Sequence, residues 1–587
     1  MNADNLLQFG PFRFGPFLFG PRPEKAGETS FRLWAPDRSE IGLELDGAAA
    51  QRMARDAQGF HTLRCKAGAR ARYRFRIDET LSVPDPASRI QNGDIADDSV
   101  LPDPGAFLWR CNDWKGRPWE ETVLYELHAG LLGGFAGVTE HLPRLADLGI
   151  TAIELMPIAD FPGRRNWGYD GVLPFAPDRT YGTPDQLKSL IDRAHALGLM
   201  VFLDVVYNHF GPEGNWLSTY AGEFFRHDVR TPWGSAIDFR QPLVRQFFLE
   251  NALYWIDEFR IDGLRFDAVH AIADRGFLPD FAAAIRAHIP ADRHVHLILE
   301  NDANEAGLLG SGFDAQWNDD FHHAVHVLLT GEHEGYYGDY TDAPAQALAR
   351  ALREGFVYQG EPSAHHDGQS RGTPSADLPP TAFVSFLQNH DQIGNRAFGE
   401  RLTVLADAQA LRAAVALLLL SPHIPLIFMG EEAGAREPFL YFTDYGSQLA
   451  EAVREGRRAE FAKFRAFADA AARERIPDPN AQSTYDASRP AFDGETAHEW
   501  TRFYASLLKI RRERIAPHLR GTRAKGSSAL APAAVIAKWT LGDGACLTIA
   551  CNLGKENVPA LLPAAAPLWG VPAESLPRFS TLAWIES

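Results

Sequence analysis

The stretch TPDQLKSLIDRAHALGLMVFLDVVYNH, residues 183–209, decides the fold. Thr183 suits a helix cap and Pro184 the first helical position, where a missing N–H costs nothing. Leu187, Leu190, Ile191, Ala194 and Leu197 recur at the spacing of one helical face, and Gly198 closes the helix. An apolar run from Leu199 to Val206 follows, interrupted only at Asp204. Such a run reads as a parallel strand covered on both faces.

The same alternation of strand, loop and helix extends in both directions from about Asn112. Eight runs carry it: Val123–Leu127, Thr151–Leu155, Met200–Val206, Gly263–Phe266, His296–Leu299, Asp314–Trp317, Ala382–Leu387 and Pro425–Met429. Eight strands alternating with helices predict an α/β chain built on an inserted (β/α)8 TIM barrel. A doubly wound open sheet is the alternative, but it would usually carry a Gly-rich phosphate turn after its first strand. His128 to Gly134 (HAGLLGG) is not such a turn.

The flanks read differently. Phe9-Gly10-Pro11, Phe14-Gly15-Pro16 and Phe19-Gly20-Pro21 repeat every five residues, which suits an extended arm or edge strand and excludes a helix. Thr29–Leu33, Ile41–Leu45 and Ala71–Ile77 alternate between turns and predict an N-terminal β-sandwich over residues 1–110. The barrel then takes 111–519, its last helix running from Trp500 to Ile515 before Pro517. Strand-like pieces at Val535–Trp539 and Cys546–Cys551 place a small C-terminal β-domain at 520–587.

Composition excludes partners. The 587 residues hold 58 Lys and Arg against 76 Asp and Glu, a net charge of −18, so neither nucleic acid nor an anionic membrane is an expected partner. Thirteen Trp, 15 Tyr and 38 Phe are compatible with stacking on neutral rings, although core packing accounts for most of them. Four cysteines are too few to staple a chain of this size, and they read as buried free thiols in a reducing compartment. Cys546 and Cys551 stand five apart in a strand and so point to opposite faces. The N-terminus shows no basic segment leading into an apolar core, and the longest apolar run, Ala413–Leu420, is far shorter than the ~20 residues of a membrane span. A cytoplasmic protein is expected.

Barrel chemistry sits at the C-terminal strand ends. There the third strand offers Asp204, Asn208 and His209; the fourth Arg265 and Asp267; the fifth Glu300; the seventh His390 and Asp391. Carboxylates converging on one mouth repel each other, which is hard to justify on structural grounds alone. Arg265 and Asp267 stand two apart on a strand and share a face, so the guanidinium would keep Asp267 ionised, as a nucleophile requires. Glu300, among negative neighbours, would hold its proton, as a general acid requires. That is the division of labour in glycoside hydrolysis, with the two carboxyls ~5–5.5 Å apart if configuration is retained. Asp391 is suited to stabilise an oxocarbenium-like transition state, His209 and His390 to donate hydrogen bonds to the sugar, and Tyr169 to stack beneath it.

These blocks resemble the conserved regions of the α-amylase family, glycoside hydrolase family 13. The flanking residues narrow the likeness: Ala152–Pro157 (AIELMP), Trp167–Gly171 (WGYDG), Asn208–Asn215 (NHFGPEGN), Gln316–His323 (QWNDDFHH), Tyr358–Pro362 (YQGEP) and Gln388–Leu402 (QNHDQIGNRAFGERL). They are similar to a branch of the family that cleaves the α-1,4 bond next to a terminal trehalose, releasing trehalose from a maltooligosyl chain. The resemblance implies Asp267 as nucleophile, Glu300 as acid/base and Asp391 as transition-state stabiliser. The substrate-binding set is Tyr169, Asp204, His209, Arg265, His270, His390, Trp317 and Arg371. An upstream synthase that makes the maltooligosyltrehalose is implied as a functional partner, and the N-terminal sandwich as a glucan-binding module. Branching, debranching and plain amylolytic activity, and an inactive glucan-binding protein, are the alternatives. One departure from the family stands after Glu126-Leu-His128, where Ala129 to Gly137 replace a loop expected to be rich in threonine and phenylalanine at the barrel mouth.

Three weaker signals remain. His322, His323 and His326 near Asp319 include an i, i+4 pair, but no third ligand accompanies them and the sugar chemistry needs no metal. Asn208 resembles a position that holds calcium in many amylases, yet no oxygen cage surrounds it in the sequence, so no metal and no cofactor are expected. Gly360 to Pro380 is too long for a simple connection and reads as a substrate lid, a rim or a surface loop, with Arg371 within it. Trp216, Trp233 and Trp317 are candidate platforms for glucosyl units.

Overall fold

The computed structural model describes residues 7–9, 12–14, 17–103 and 105–586. Among them, eight parallel strands close into a barrel: β1 (Leu124–Leu127), β2 (Ala152–Leu155), β3 (Met200–Val205), β4 (Gly263–Phe266), β5 (His296–Leu299), β6 (Ala315–Trp317), β7 (Phe383–Phe386) and β8 (Ile424–Phe428). The last strand returns to the first through Leu124↔Leu426 and Tyr125↔Ile427. Every residue of these strands is buried, which is why each reads as a nearly unbroken apolar run.

The period of two along each strand sorts the interior into layers. Leu124, Ala152, Phe202, Trp317, Val384 and Leu426 belong to an apolar cluster of the barrel strands. Two residues further along β1, β2 and β3 stand Glu126, Glu154 and Asp204, all buried, and Asp204 registers with Arg265 of β4. The barrel is thus plugged at its floor and charged below its mouth. Between strands the expected helix appears at Pro184–Ala196, with Thr183 and Gln186 forming a reciprocal capping box and Gly198 in a left-handed conformation just past its end.

The N-terminal sandwich pairs Glu28–Trp34 with Phe60–Lys66 in one sheet and Gly42–Leu45 with Arg72–Arg76 in the other. Phe31 and Tyr73 meet in its core at 4.9 Å. Of the Phe-Gly-Pro arm, Leu7–Phe9 and Phe12–Phe14 pair as antiparallel strands, whereas Gly10, Pro11, Gly15 and Pro16 lie outside the described residues. The arm's end is tied to the barrel by Glu250, which accepts the N–H groups of Leu18 (2.9 Å) and Phe19 (3.1 Å). At the other end four antiparallel strands, Arg523–Ala531, Ala534–Thr540, Cys546–Asn552 and Ser580–Glu586, form the C-terminal β-domain.

The last barrel helix spans Glu495–Ile510 and then widens into a π-turn at Arg511–Ile515. The turn carries the fully buried Arg511 to the carbonyls of Leu419 (3.2 Å), Ser421 (2.6 Å) and His423 (2.6 Å), three acceptors that the helix end preceding β8 leaves open. Two expectations need correction. The thiols are free, but only Cys551 is buried; Cys65, Cys111 and Cys546 are half-buried because their strand faces and turns meet solvent. Ala129 to Gly137 do not form a rim loop: Gly130–Leu132 is a single 3-10 turn and a helix begins at Gly134. Gly134 has φ +75°, and a β-carbon there would lie 2.4 Å from the Tyr181 carbonyl oxygen, so the turn admits no side chain.

Gly263 opens β4, the strand that delivers Arg265 and Asp267, and a β-carbon on it would meet the Phe202 ring at 2.7–2.8 Å. Gly263→Ala is expected to destabilise the fold by about 1–3 kcal/mol through overpacking, measured as a lowered midpoint in chemical denaturation.

Candidate active site

Arg265 organises the mouth. Its side chain is fully buried; Nη1 donates to Oδ2 of Asp204 and Oδ1 of Asp267, each at 2.7 Å, and Nη2 lies 3.8 Å from Oε2 of Glu300. The guanidinium lies 4.2 Å over the Trp317 ring, which floors it. Asn208 adds a second donor to Asp267, Nδ2 to Oδ2 at 2.8 Å. Burial by itself would raise the Asp267 carboxyl, but Arg265, His209 and the Asn208 hydrogen bond outweigh it and hold Asp267 below the ordinary carboxylate value.

Glu300 moves the other way. Burial pushes its carboxyl up, Asp267 and Asp391 add to the push, and Arg265 and His270 only partly oppose it. Its Oε2 accepts the Ala268 N–H at 2.5 Å. Ala268 sits in the left-handed region at φ +41°, a conformation that costs a residue with a β-carbon roughly 1–2 kcal/mol. The strain falls between two carboxyls that the backbone must aim differently. Neighbouring strands therefore present one carboxyl whose hold on its proton is weakened and one whose hold is strengthened, the contrast that acid-assisted displacement at a glycosidic carbon needs.

Asp391, at the end of β7, is 41% exposed and faces the opening. Beside it, His390 is clamped. Its Nδ1 hydrogen-bonds Glu126, its backbone N–H donates to Glu126 Oε2 at 3.1 Å, and Nε2 lies 3.5 Å from Asp391. Burial would depress the imidazole, but the carboxylates of Asp391 and Glu126 prevail and push it up to about 9. Tyr169 stacks on the His390 ring at 5.0 Å and donates its hydroxyl to Asp204 at 2.7 Å. The half-exposed Tyr169 ring thus lies in one array with the Arg265 network.

The predicted residues therefore divide. Asp267, Glu300, Asp391, Tyr169, His209, His270 and His390 gather at the mouth. His209 packs flat on Trp233 (4.8 Å, 11°), and that ring, 46% exposed on the hairpin following β3, is an open aromatic face beside it. His270 Nδ1 accepts the Asp302 N–H at 3.3 Å. Asp204 and Arg265 lie beneath the mouth and bond Tyr169 and Asp267; burial pushes Asp204 up to about 7. Two placements are corrections. Trp317 is 1% exposed, so it cannot stack on a sugar and supports Arg265 instead. Arg371 is 5% exposed and spent on Asp320 (2.8 Å) and Asp302 (3.1 Å), so it is no free sugar ligand. It pins the 360–380 segment, an ordered ribbon of Pro362–Ser363 and Gln369–Ser370, as a rim beside the end of β5.

The histidine group after β6 has other occupations: His322 bonds the Leu387 carbonyl (2.6 Å) and His326 bonds Glu332 (2.8 Å). Among the described residues no three His, Cys, Asp or Glu side chains stand where they could hold a metal ion. Glu126 was missed by sequence reasoning. Its signal was present, since it stands two residues beyond Leu124 on the inward face of β1, but only the closed barrel brings it to His390, 264 positions away.

Comparison with known proteins finds close relatives of the chain. The family model for the α-amylase catalytic domain matches residues 91–230, and a domain of unknown function (DUF3459) matches residues 522–579. The malto-oligosyltrehalose trehalohydrolase of Saccharolobus solfataricus is 40% identical over 501 residues, 82% of this chain and 85% of that protein. The enzyme of the same name from Deinococcus radiodurans is 39% identical over 507 residues, covering 84% and 82%. Among solved structures, a putative α-amylase from Salmonella typhimurium is 42% identical and superposes with a TM-score of 0.92 over 97% of this chain and 100% of its own.

His390 holds its proton in the folded protein up to about pH 9, whereas an unfolded histidine releases it near pH 6.5. Its contribution to stability is therefore fully present below about pH 6.5 and is lost as pH rises through about 9. Removing the Glu126 charge by Glu126→Gln is expected to shrink that pH-dependent loss, by about 1–3 kcal/mol, when denaturation curves of the two proteins are compared at pH 6.5 and 9.

Proposed function

Since the chain belongs to the malto-oligosyltrehalose trehalohydrolases of the α-amylase family, we propose that Asp267 is its nucleophile, Glu300 its acid/base and Asp391 its transition-state stabiliser. The reaction is hydrolysis of the α-1,4-glucosidic bond adjacent to the terminal trehalose of an oligosaccharide, yielding trehalose and a maltooligosaccharide with retained configuration. The observation that carries the residue assignment is the Arg265 side chain, which bonds Asp267 at 2.7 Å yet stays 3.8 Å from Glu300. One carboxyl is thereby kept charged and its neighbour left free to hold a proton.

In the first step Glu300 gives its proton to the leaving glycosidic oxygen while Asp267 attacks the anomeric carbon and forms a glycosyl ester. In the second, Glu300 takes a proton from water as the water opens that ester. Asp391 and the His390 imidazolium face the charge that develops on the ring. Tyr169, His209 and His270 line the sugar's path, with Asp204 and Arg265 as the support beneath them.

We further place the substrate's origin in a synthase that converts the reducing end of a maltooligosaccharide into a terminal trehalose. Four free thiols favour a reducing compartment, the cytoplasm, and no described helix is long and apolar enough to cross a membrane. The divisions we assign are 1–110 for the sandwich, a glucan-binding module, 111–519 for the catalytic barrel, and 520–587 for the C-terminal β-domain.

Purified protein offered maltooligosyltrehalose and maltooligosaccharides of matched length should release trehalose from the first and cleave the second poorly. Glu300→Gln is expected to lower kcat by about 10²–10⁴-fold with little change in the unfolding midpoint. Unchanged turnover in that variant would overturn the assignment.

A further inference from the structure

The helix after β6, Asp319–Thr330, begins with two aspartates whose surroundings differ sharply. Asp320 is buried and saturated. It accepts from Arg371 (2.8 Å), the Tyr340 hydroxyl (2.5 Å), Asn304 (3.1 Å) and the backbone N–H groups of Val357 (2.6 Å) and Tyr358 (3.2 Å). That is a structural anchor for the rim.

Asp319 has no such employment. It is half-exposed, and the one side-chain hydrogen bond it makes among the described residues comes from Gln392 Nε2 to Oδ1 at 3.2 Å. Gln392 is itself held by the Tyr336 hydroxyl at 3.1 Å and directly follows Asp391. Oδ2 has no partner among the described residues. A carboxyl placed among Glu300, Asp302 and Asp391 without a hydrogen-bond network of its own costs free energy that the fold does not recover.

The order of strands says where Asp319 stands around the mouth. Asp267 stands at the end of β4, Glu300 at the end of β5, and Asp319 follows β6, so Glu300 lies between nucleophile and Asp319 around the mouth. The acid delivers its proton to the leaving oxygen. A polar group beyond the acid, on the side away from the nucleophile, meets the leaving sugar.

We infer that Asp319 is a specificity-determining residue of the leaving-group subsite, hydrogen-bonding hydroxyls of the departing trehalose and favouring it over a maltosyl leaving group; this rests on the function proposed above. Its Oδ2 is open to a hydroxyl, and burial with the neighbouring Glu300 and Asp302 pushes its carboxyl well above the ordinary range. A site built to bond a hydroxyl discriminates strongly against ligands that leave its buried groups unpaired.

The test compares two substrates with one glycone. Maltotriosyltrehalose places trehalose in the leaving-group subsite; maltopentaose places maltose there. The ratio of their kcat/KM values is expected to fall about tenfold in Asp319→Ala and by less in Asp319→Asn, which keeps the shape and the Gln392 contact. A ratio unchanged in both variants, while the wild-type protein still releases trehalose, overturns the inference and leaves the proposed function standing. Wild-type protein that releases no trehalose overturns the proposed function instead.

Discussion

The site depends on a guanidinium buried where no water reaches it. An ion in such a place costs several kcal/mol unless its charge is matched and its donors engaged. Arg265 has its charge matched by Asp204 and Asp267 through Nη1, while Nε and Nη2 make no hydrogen bond, and the Trp317 ring lies beneath the guanidinium. Each partner comes from a different part of the barrel, so the cation is matched only when β3, β4 and β6 are in register. Forming the barrel and keeping Asp267 charged are thus the same event, and a misaligned strand would leave both an unpaired cation and an unpaired carboxylate.

The apolar floor makes that network effective. Leu124, Phe202, Phe386 and their neighbours exclude water from below, which strengthens every charge interaction above them. Around this core two barrel side chains act as clamps. Glu250 captures the arm that leads into the sandwich, and Arg511 closes the backbone acceptors between Ala408–Leu420 and β8. Neither clamp touches the mouth, and both hold elements on which strand register depends.

What could be read along the chain followed from local physics. A short apolar run bounded by turn residues and alternating with helical stripes reads as a strand covered on both faces, and all eight barrel strands lie within a residue or two of the runs that announced them. Asp267, Glu300 and Asp391 were legible as candidates because a carboxylate at the end of a buried strand has few other reasons to be there, and the structure gathers them at one mouth. Burial depth was not legible. Trp317 and Arg371 carry the residue types that sugars favour, yet the first is packed under Arg265 and the second is consumed by Asp302 and Asp320. Nor was the stretch from Ala129 to Gly137 readable as a turn and helix, because Gly134 is explained only by the Tyr181 carbonyl pressed against it.

By itself, the sequence determined the barrel, the strand ends and which carboxyls stand at them, since each is set by periodicity and residue chemistry within a few positions. Tertiary structure alone decided which groups share a charge. Glu126 meets His390, Arg265 separates Asp267 from Glu300, and Asp320 is saturated where Asp319 is not. The physical reason is that electrostatic environment depends on distances of a few ångströms between residues tens to hundreds of positions apart, and only closure of the barrel sets those distances.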